Sequence, residues 1–325
     1  MKKGMSFLLA VLMILSLTGC GGTPANSGGS GGNASAPSAG NTSGAIEAGA
    51  TVLRTTEDWP TYYDPAVGSS FSCSTAQANI YDPLVFPQTD GSVRPHLATE
   101  WTISDDALTY TFTIRDDVKF HSGNLMKASD VAYSMNRMLE IGEGYAYLYT
   151  DLIEDCYAED DTHVVFKLNK PFGPFLYALV RCMIVEQALV EEHYDLSDST
   201  YGDKGDYGKT WLLTNDAGSG AYKTVEFKLD EYLLAERFED YFLGWEEGAP
   251  QYFRISGMTD PVAVRTAMSN RELEITDELQ PLENYNTMDA MDGVDLSAVC
   301  GGNTFNMIIL LPSAYWTLRR QELGK

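Results

Sequence analysis

RPHLATEWTISDDALTYTFTIRDDVKFHSGNLMKASDVAYSMNRML, residues 94–139, holds two hydrophobic periods in one run. In LTYTFTIR (108–115), Tyr110, Phe112 and Ile114 alternate with Thr111, Thr113 and Arg115. Period two with aromatic and β-branched residues marks a half-buried strand. ATEWTIS (98–104) precedes it across Asp105-Asp106, so the pair reads as a hairpin. From residue 128 the period lengthens. In ASDVAYSMNRMLE (128–140), Val131, Met135, Met138 and Leu139 fall on one helical face, and Ser129 is the expected N-cap. Strands and helices in blocks predict a mixed α and β body.

The same reading extends in both directions. Upstream, TVLRTT (51–56) is a strand that ends in the turn-rich EDWPTYYDPAV, and STAQANIYDPLV (74–85) is a short helix closed by Asp82-Pro83. Downstream, THVVFKLN (162–169) alternates Val164, Phe166 and Leu168 with His163, Lys167 and Asn169. KPFGPFLYALV opens a helix behind its prolines, and the polar stretch 195–210 reads as a surface loop. AYKTVEFKL and EYLLAERF form a second hairpin about Asp230. TDPVAVRTAMSN (259–270) is a helix with Asp260 as N-cap, Pro261 at its first position and Asn270 as its stop. NTFNMIILL (303–311) ends in an apolar run suited to a buried strand.

The first 20 residues are of another kind. Lys2 and Lys3 precede an apolar run from Met5 to Leu17, too short for an ordinary membrane span of roughly 20 residues. Its length and flanks are those of a secretory signal. Leu17-Thr18-Gly19-Cys20 resembles the lipobox of bacterial lipoproteins, which implies a signal peptide over 1–19 and lipid on Cys20. Residues 20–50 are dominated by small and polar side chains and read as a flexible linker.

Composition narrows the function. Asp and Glu number 46 against 22 Lys and Arg, a net charge of −24. That balance disfavours nucleic acid, whose phosphates need clustered cations, and electrostatic docking on anionic lipid. Cys73, Cys156, Cys182 and Cys300 form no C-x-x-C pair; an exported chain could pair them in three ways, and free buried thiols are the simpler expectation. His96, His121, His163 and His193 are scattered and build no metal motif. GDKGDYGKT (202–210) fails as a phosphate loop by spacing, and as a calcium loop because Gly205 and Thr214 stand where carboxylates are needed. No catalytic residue, metal or cofactor is therefore expected, and binding is favoured over catalysis. The alternative is a surface-anchored hydrolase that uses one of the many acidic pairs. Trp59, Tyr62, Tyr63, Tyr145, Tyr147 and Tyr149 lie in loops, where aromatics either line a ligand cleft or tuck the loop onto the core.

The stretch 94–139 also resembles the extracellular solute-binding proteins of family 5, the peptide- and nickel-binding components of ABC importers. Pro95, Leu97, Ala98, Glu100, Trp101, Ser104, Asp105, Asp106, Leu108, Thr109, Tyr110, Phe112 and Arg115 fall in step with the family pattern. So do Val118, Lys119, Phe120, His121, Gly123, Ala128, Asp130, Val131, Ser134 and Arg137. NIYDPLV (79–85), GSGAYK (218–223) and RFEDYF (237–242) add shorter matches.

The resemblance implies a two-lobed clamp of the periplasmic-binding-protein type II-like class. Lobe one would comprise 51–85 and 206–311, with an inserted subdomain at 86–205 packed by Trp101, Tyr110 and Phe112. Residues 312–325 do not match the family where the second lobe would begin, so a truncated form with that lobe largely missing is expected. The implied function is capture of oligopeptides or a similar small solute, and delivery to a membrane permease driven by an ATPase. The implied carrier is a monomer, periplasmic or held by lipid to the outer face of the cell membrane. Position in such a fold makes Asp58, Trp59 and Tyr62 ligand candidates after the first strand. It makes Asn303, Thr304 and Phe305 candidates before the crossing strand.

Overall fold

Half-burial around the Asp105-Asp106 turn is what the alternation requires. In the computed structural model, which describes residues 46–47, 50–57, 62–88, 90–277 and 280–296, β4 (Ala98–Ile103) pairs antiparallel with β5 (Thr109–Ile114). Tyr110, Phe112 and Ile114 are buried and the threonines between them are partly exposed. The expectations at 1–19, Cys20, Asp58, Trp59, Cys300, Asn303, Thr304, Phe305, 303–311 and 312–325 lie outside the described residues.

β5 lies inside a sheet of order β4-β5-β7-β6, with β6 at Ile153–Ala158 and β7 at His163–Leu168. Its core is aromatic. Phe112 meets Phe166 edge-on at 5.5 Å, and Tyr110 meets Phe175 at 4.7 Å, the geometry that ring quadrupoles prefer. α2 (Ala128–Ile141) packs on β6 and β7 through Val131, Met135 and Met138. Its N-cap is Lys127, not Ser129. Asp130 reaches back to accept the Lys127 N–H at 2.8 Å, the half of a capping box in which the third helical residue serves the cap's own N–H. Gly142 closes the helix in the left-handed region, φ 71°.

A second sheet has the order β1-β10-β9-β8, from β1 (Val52–Glu57), β8 (Tyr222–Lys228), β9 (Tyr232–Arg237) and β10 (Tyr252–Gly257). β1 runs parallel to β10; the other pairs are antiparallel. The second predicted hairpin turns at Asp230, φ 59°, a left-handed position that Asp tolerates. A small ladder joins β2 (Val85–Pro87) to β3 (Val93–Pro95). α1 (Phe71–Ile80) lies by β8 and starts three residues before the predicted helix.

The helix expected behind Pro171 and Pro174 is one turn, α3 (Phe175–Ala178), followed by a tighter turn at Leu179–Arg181 and then by α4 (Gln187–Glu192). α5 (Pro261–Ser269) starts as predicted, with Asp260 accepting the Ala263 N–H at 2.7 Å. α6 (Leu282–Asp289) is tied to it by Asn284, which donates to the Pro261 carbonyl at 2.6 Å.

Polar side chains fasten these parts together. Arg137 of α2 is buried, and its Nη atoms donate to both carboxylate oxygens of Asp64 at 2.7 and 2.6 Å. Its Nε donates to the Tyr207 carbonyl at 2.9 Å. The stretch 195–210 is therefore not all surface loop: Gly205 to Gly208 are buried. Asp206 stabilises that turn by accepting the N–H groups of Asp195, Gly208 and Thr210. GSGAY lies on the end of α1. A Cβ at Gly218 would stand 2.0 Å from the Ile80 carbonyl oxygen, and one at Gly220 would stand 2.4 Å from the Ile80 carbonyl carbon, so only glycine fits. Cys73, Cys156 and Cys182 are buried free thiols, and burial pushes the Cys182 thiol up to about 12.

Removing one partner of a buried ion pair strands the other charge and costs about 3–5 kcal/mol. Asp64→Ala is expected to lower the unfolding free energy by that amount in urea denaturation. Asp64→Leu combined with Arg137→Met should recover most of the loss, and a double variant no more stable than the single one would contradict the pairing.

Candidate ligand site

The carboxyl end of β1 leads toward residues 62–70 and the amino end of α1. This loop is held internally. The Asp64 carbonyl accepts the N–H groups of Val67 and Gly68 at 3.0 and 2.9 Å, and the Asp64 carboxylate accepts the Ala66 N–H at 2.9 Å. Gln77 of α1 donates to the carbonyls of Asp64 and Gly68. Ser70 caps α1 by accepting the Cys73 N–H at 3.3 Å. With Arg137 gripping Asp64 from α2, the loop cannot move without breaking buried polar contacts.

One side of the loop faces a cavity of about 280 Å³. Tyr62 and Val67 line it from the loop, and Tyr201, Asp206, Lys209 and Leu213 line it from the segment opposite. Its charges are already engaged. Lys209 pairs with Glu143 at 2.6 Å. Burial works against the charge on Asp206, but the N–H donors at Thr210 and Asp195 outweigh it and hold the carboxyl below the usual carboxylate range. The cavity thus offers a new ligand mainly aromatic and aliphatic surface.

The other side carries an exposed cation. Gly144, φ 54°, sits so close to the loop that a Cβ would lie 3.0 Å from the Ala66 carbonyl oxygen. That approach places Tyr145 beside the head of α1. Its hydroxyl shares a hydrogen bond with Ser74 Oγ at 2.9 Å and donates to the Ser69 carbonyl at 3.2 Å. Arg181, in the turn after α3, lays its guanidinium over the Tyr145 ring at 5.0 Å. Arg181 is exposed and forms no ion pair with any described residue. Tyr147 is 72 % exposed, its ring 6.4 Å from that of Tyr145. A guanidinium over an aromatic face is attracted by the ring without engaging its N–H donors, which are left for a carboxylate.

Of the six predicted ligand residues, Tyr62 alone is among the described residues, and it stands half-exposed on the cavity rim. The loop aromatics divide. Tyr145 and Tyr147 remain exposed enough to meet a ligand. Tyr63 and Tyr149 are core residues whose hydroxyls bond Thr224 and the Ala178 carbonyl. Arg181 was hidden in a run read as helix; the available signal was one cation closing the apolar stretch FLYALV.

Another polar cluster surrounds Asp82. Asp82 lies between Ser219, which donates to it at 2.8 Å, and His96, at 2.7 Å. All three are buried, and the hydroxyl and the imidazole both bond the acid, so the imidazole does not reach the serine hydroxyl. Among the described residues, no group of three or more His, Cys, Asp or Glu side chains converges on a metal-sized site.

Comparison with known proteins places this geometry in a family. The profile of "Bacterial extracellular solute-binding proteins, family 5 Middle" matches residues 92–309. The chain is 30% identical over 248 residues to a probable D,D-dipeptide-binding periplasmic protein of Escherichia coli, covering 73% of this chain and 45% of that one. It is 29% identical over 214 residues to the nickel-binding periplasmic protein of the same organism, covering 65% and 38%.

Among solved structures it resembles the periplasmic binding protein DppA of Helicobacter pylori in complex with the peptide STSA, with TM-score 0.63, 24% identity and coverage of 74% and 49%. It also resembles NikZ of Campylobacter jejuni in complex with Ni(L-His), with TM-score 0.62, 22% identity and coverage of 74% and 45%. The mixed α/β fold is thus that of two-lobed periplasmic binding proteins, and the chain spans less than half the length of each of these four. The chain belongs to the bacterial extracellular solute-binding proteins of family 5.

Proposed function

We propose that this chain captures small peptides, or comparable carboxylate-bearing solutes, outside the cytoplasm for an ABC importer. The observation that carries the reading is the guanidinium of Arg181, which pairs with no acid among the described residues and lies over the Tyr145 ring beside the fixed 62–70 loop. Names of relatives point the same way: dipeptides and L-histidine both carry a carboxylate. In this reading Arg181 holds the carboxylate, Tyr145 and Tyr147 flank the solute, and Tyr62 meets it from the loop. Asp58 and Trp59 extend the surface along the loop, and Asn303, Thr304 and Phe305 belong to it before the crossing strand. Lobe one comprises 51–85 and 206–311, with 86–205 inserted, and a solute that touches two lobes only when they close favours closure.

Several further features follow from the same reading. The carrier is a monomer without catalytic activity of its own. It hands solute to a membrane permease and its ATPase. Cys20 carries the lipid, since stable anchoring takes two acyl chains or an equivalent second signal. A flexible linker of about 30 residues then reaches roughly 30 Å root-mean-square from the membrane.

Isothermal titration of the full chain with a pool of di- to pentapeptides tests the site. A charge-assisted hydrogen bond is worth about 1.5–3 kcal/mol, so Arg181→Ala should weaken binding by about tenfold or more, with its melting temperature unchanged. Unaltered affinity in that variant would remove Arg181 from the site. For the anchor, Cys20→Ser should move the protein from the membrane fraction to the soluble fraction, and retention of the variant on membranes would rule out lipid at Cys20 as the tether.

A further inference from the structure

His121 stands where the 118–125 loop meets the segment leading into β8. Its backbone N–H donates to the Gly218 carbonyl at 2.8 Å. Its Nδ1 lies 2.6 Å from Asp216 Oδ1, and its Nε2 lies 3.0 Å from the Gly220 carbonyl oxygen. Asp216 also accepts the N–H groups of Thr224 and Gly218, at 2.8 and 3.3 Å. A carbonyl oxygen only accepts, and so does an ionised carboxylate. Both ring nitrogens therefore need protons, which a neutral imidazole cannot supply.

His96 provides the internal contrast. It has one acceptor at Nε2, and its Nδ1 is without a partner among the described residues.

We propose that His121 is a proton-dependent clasp, closing the 118–125 loop onto the Asp216–Gly220 segment as an imidazolium and loosening when it loses a proton. The surrounding charges favour the closed form. Lys119, on the same loop, is exposed and neutralised by Asp240 at 2.8 Å. Asn124 engages the buried Glu186 at 2.6 Å. Phe238 closes the ring's edge at 5.0 Å, and Asp82 adds a longer-range negative charge. Burial opposes the charge on His121, but Asp216 outweighs it, with help from the Gly220 carbonyl, and holds the imidazolium above the ordinary histidine range.

A histidine whose folded-state value is raised stabilises the fold fully below the ordinary value of about 6.5. That contribution is lost as pH climbs through the raised value. The clasp is therefore fully closed below the ordinary histidine range and loosens as pH climbs through the raised value. Gly218 and Gly220 seat the end of α1, whose other end carries Ser70 and Ser74. Loosening there would reach the ligand site, a consequence that rests on the function proposed above; the clasp itself does not.

Side-chain 15N NMR of the full chain tests the clasp without any ligand. The His121 signal is assigned by its loss in His121→Gln. Two protonated ring nitrogens at about pH 7 are expected, losing a proton above the ordinary histidine range. A His121 ring that is neutral at about pH 7 would overturn the proposal. Amide exchange at His121 and Gly220 supplies a second readout. Protection corrected for intrinsic base catalysis should fall as pH rises above the ordinary histidine range in the natural chain and stay flat in His121→Gln. Equal falls in both would also overturn it. If the variant does not fold, His121 is assigned through its backbone and the titration alone decides.

Discussion

A bidentate ion pair between Asp64 and Arg137, 73 residues apart and wholly buried, fixes the loop on which the candidate site stands. Asp64 is also the internal organiser of that loop, through its carbonyl and its carboxylate. Arg137 has a second partner in the Tyr207 carbonyl, so one guanidinium joins the β1–α1 connection, α2 and the buried turn at 205–208. A pair of this kind adds little net stability over an apolar replacement, because both charges lose their water. Its value here is positional, since the fork of Arg matches a carboxylate in a single orientation.

Other joints repeat the scheme. Asp82 collects His96 and Ser219, and Asp216 collects His121 and the start of β8. Each buried acid draws together segments far apart in sequence. The pairs outside the core, such as Lys127–Asp161 and Lys228–Glu226, are solvated and contribute little to stability. The buried acids hold these segments in place.

What could be read from the sequence follows from how each element is buried. The 98–114 hairpin was legible because β5, a strand with one wet face, writes its period into the chain; the 222–237 hairpin was legible from two runs of strand-forming residues about Asp230, since Tyr232–Ala235 of β9 are all buried. The cap at Asp260 was legible because the acid and Pro261 are adjacent. β10 was missed: Tyr252, Phe253, Arg254 and Ile255 are all buried, so no alternation marks it. Ser129 was preferred to Lys127 because the capping acid acts from three residues downstream. Gly205–Gly208 read as exposed because the stretch is polar, and its polar groups turned out to serve one another and Arg137. In the site, exposed aromatics could be noticed in sequence, but no local pattern separates Tyr145 from Tyr149. The deciding partners, Ser74, Ala178 and Arg181, are supplied by folding.

The central claim is that the fastened 62–70 loop and its neighbours form the surface that receives the solute. Backbone hydrogen exchange of the full chain, with and without a pool of di- to pentapeptides, tests it most directly. The account predicts slowed exchange at residues 58–74, 144–149, 179–182 and 303–305. Unchanged exchange in those segments, with slowing instead along β6 or at α5 and α6, would contradict it.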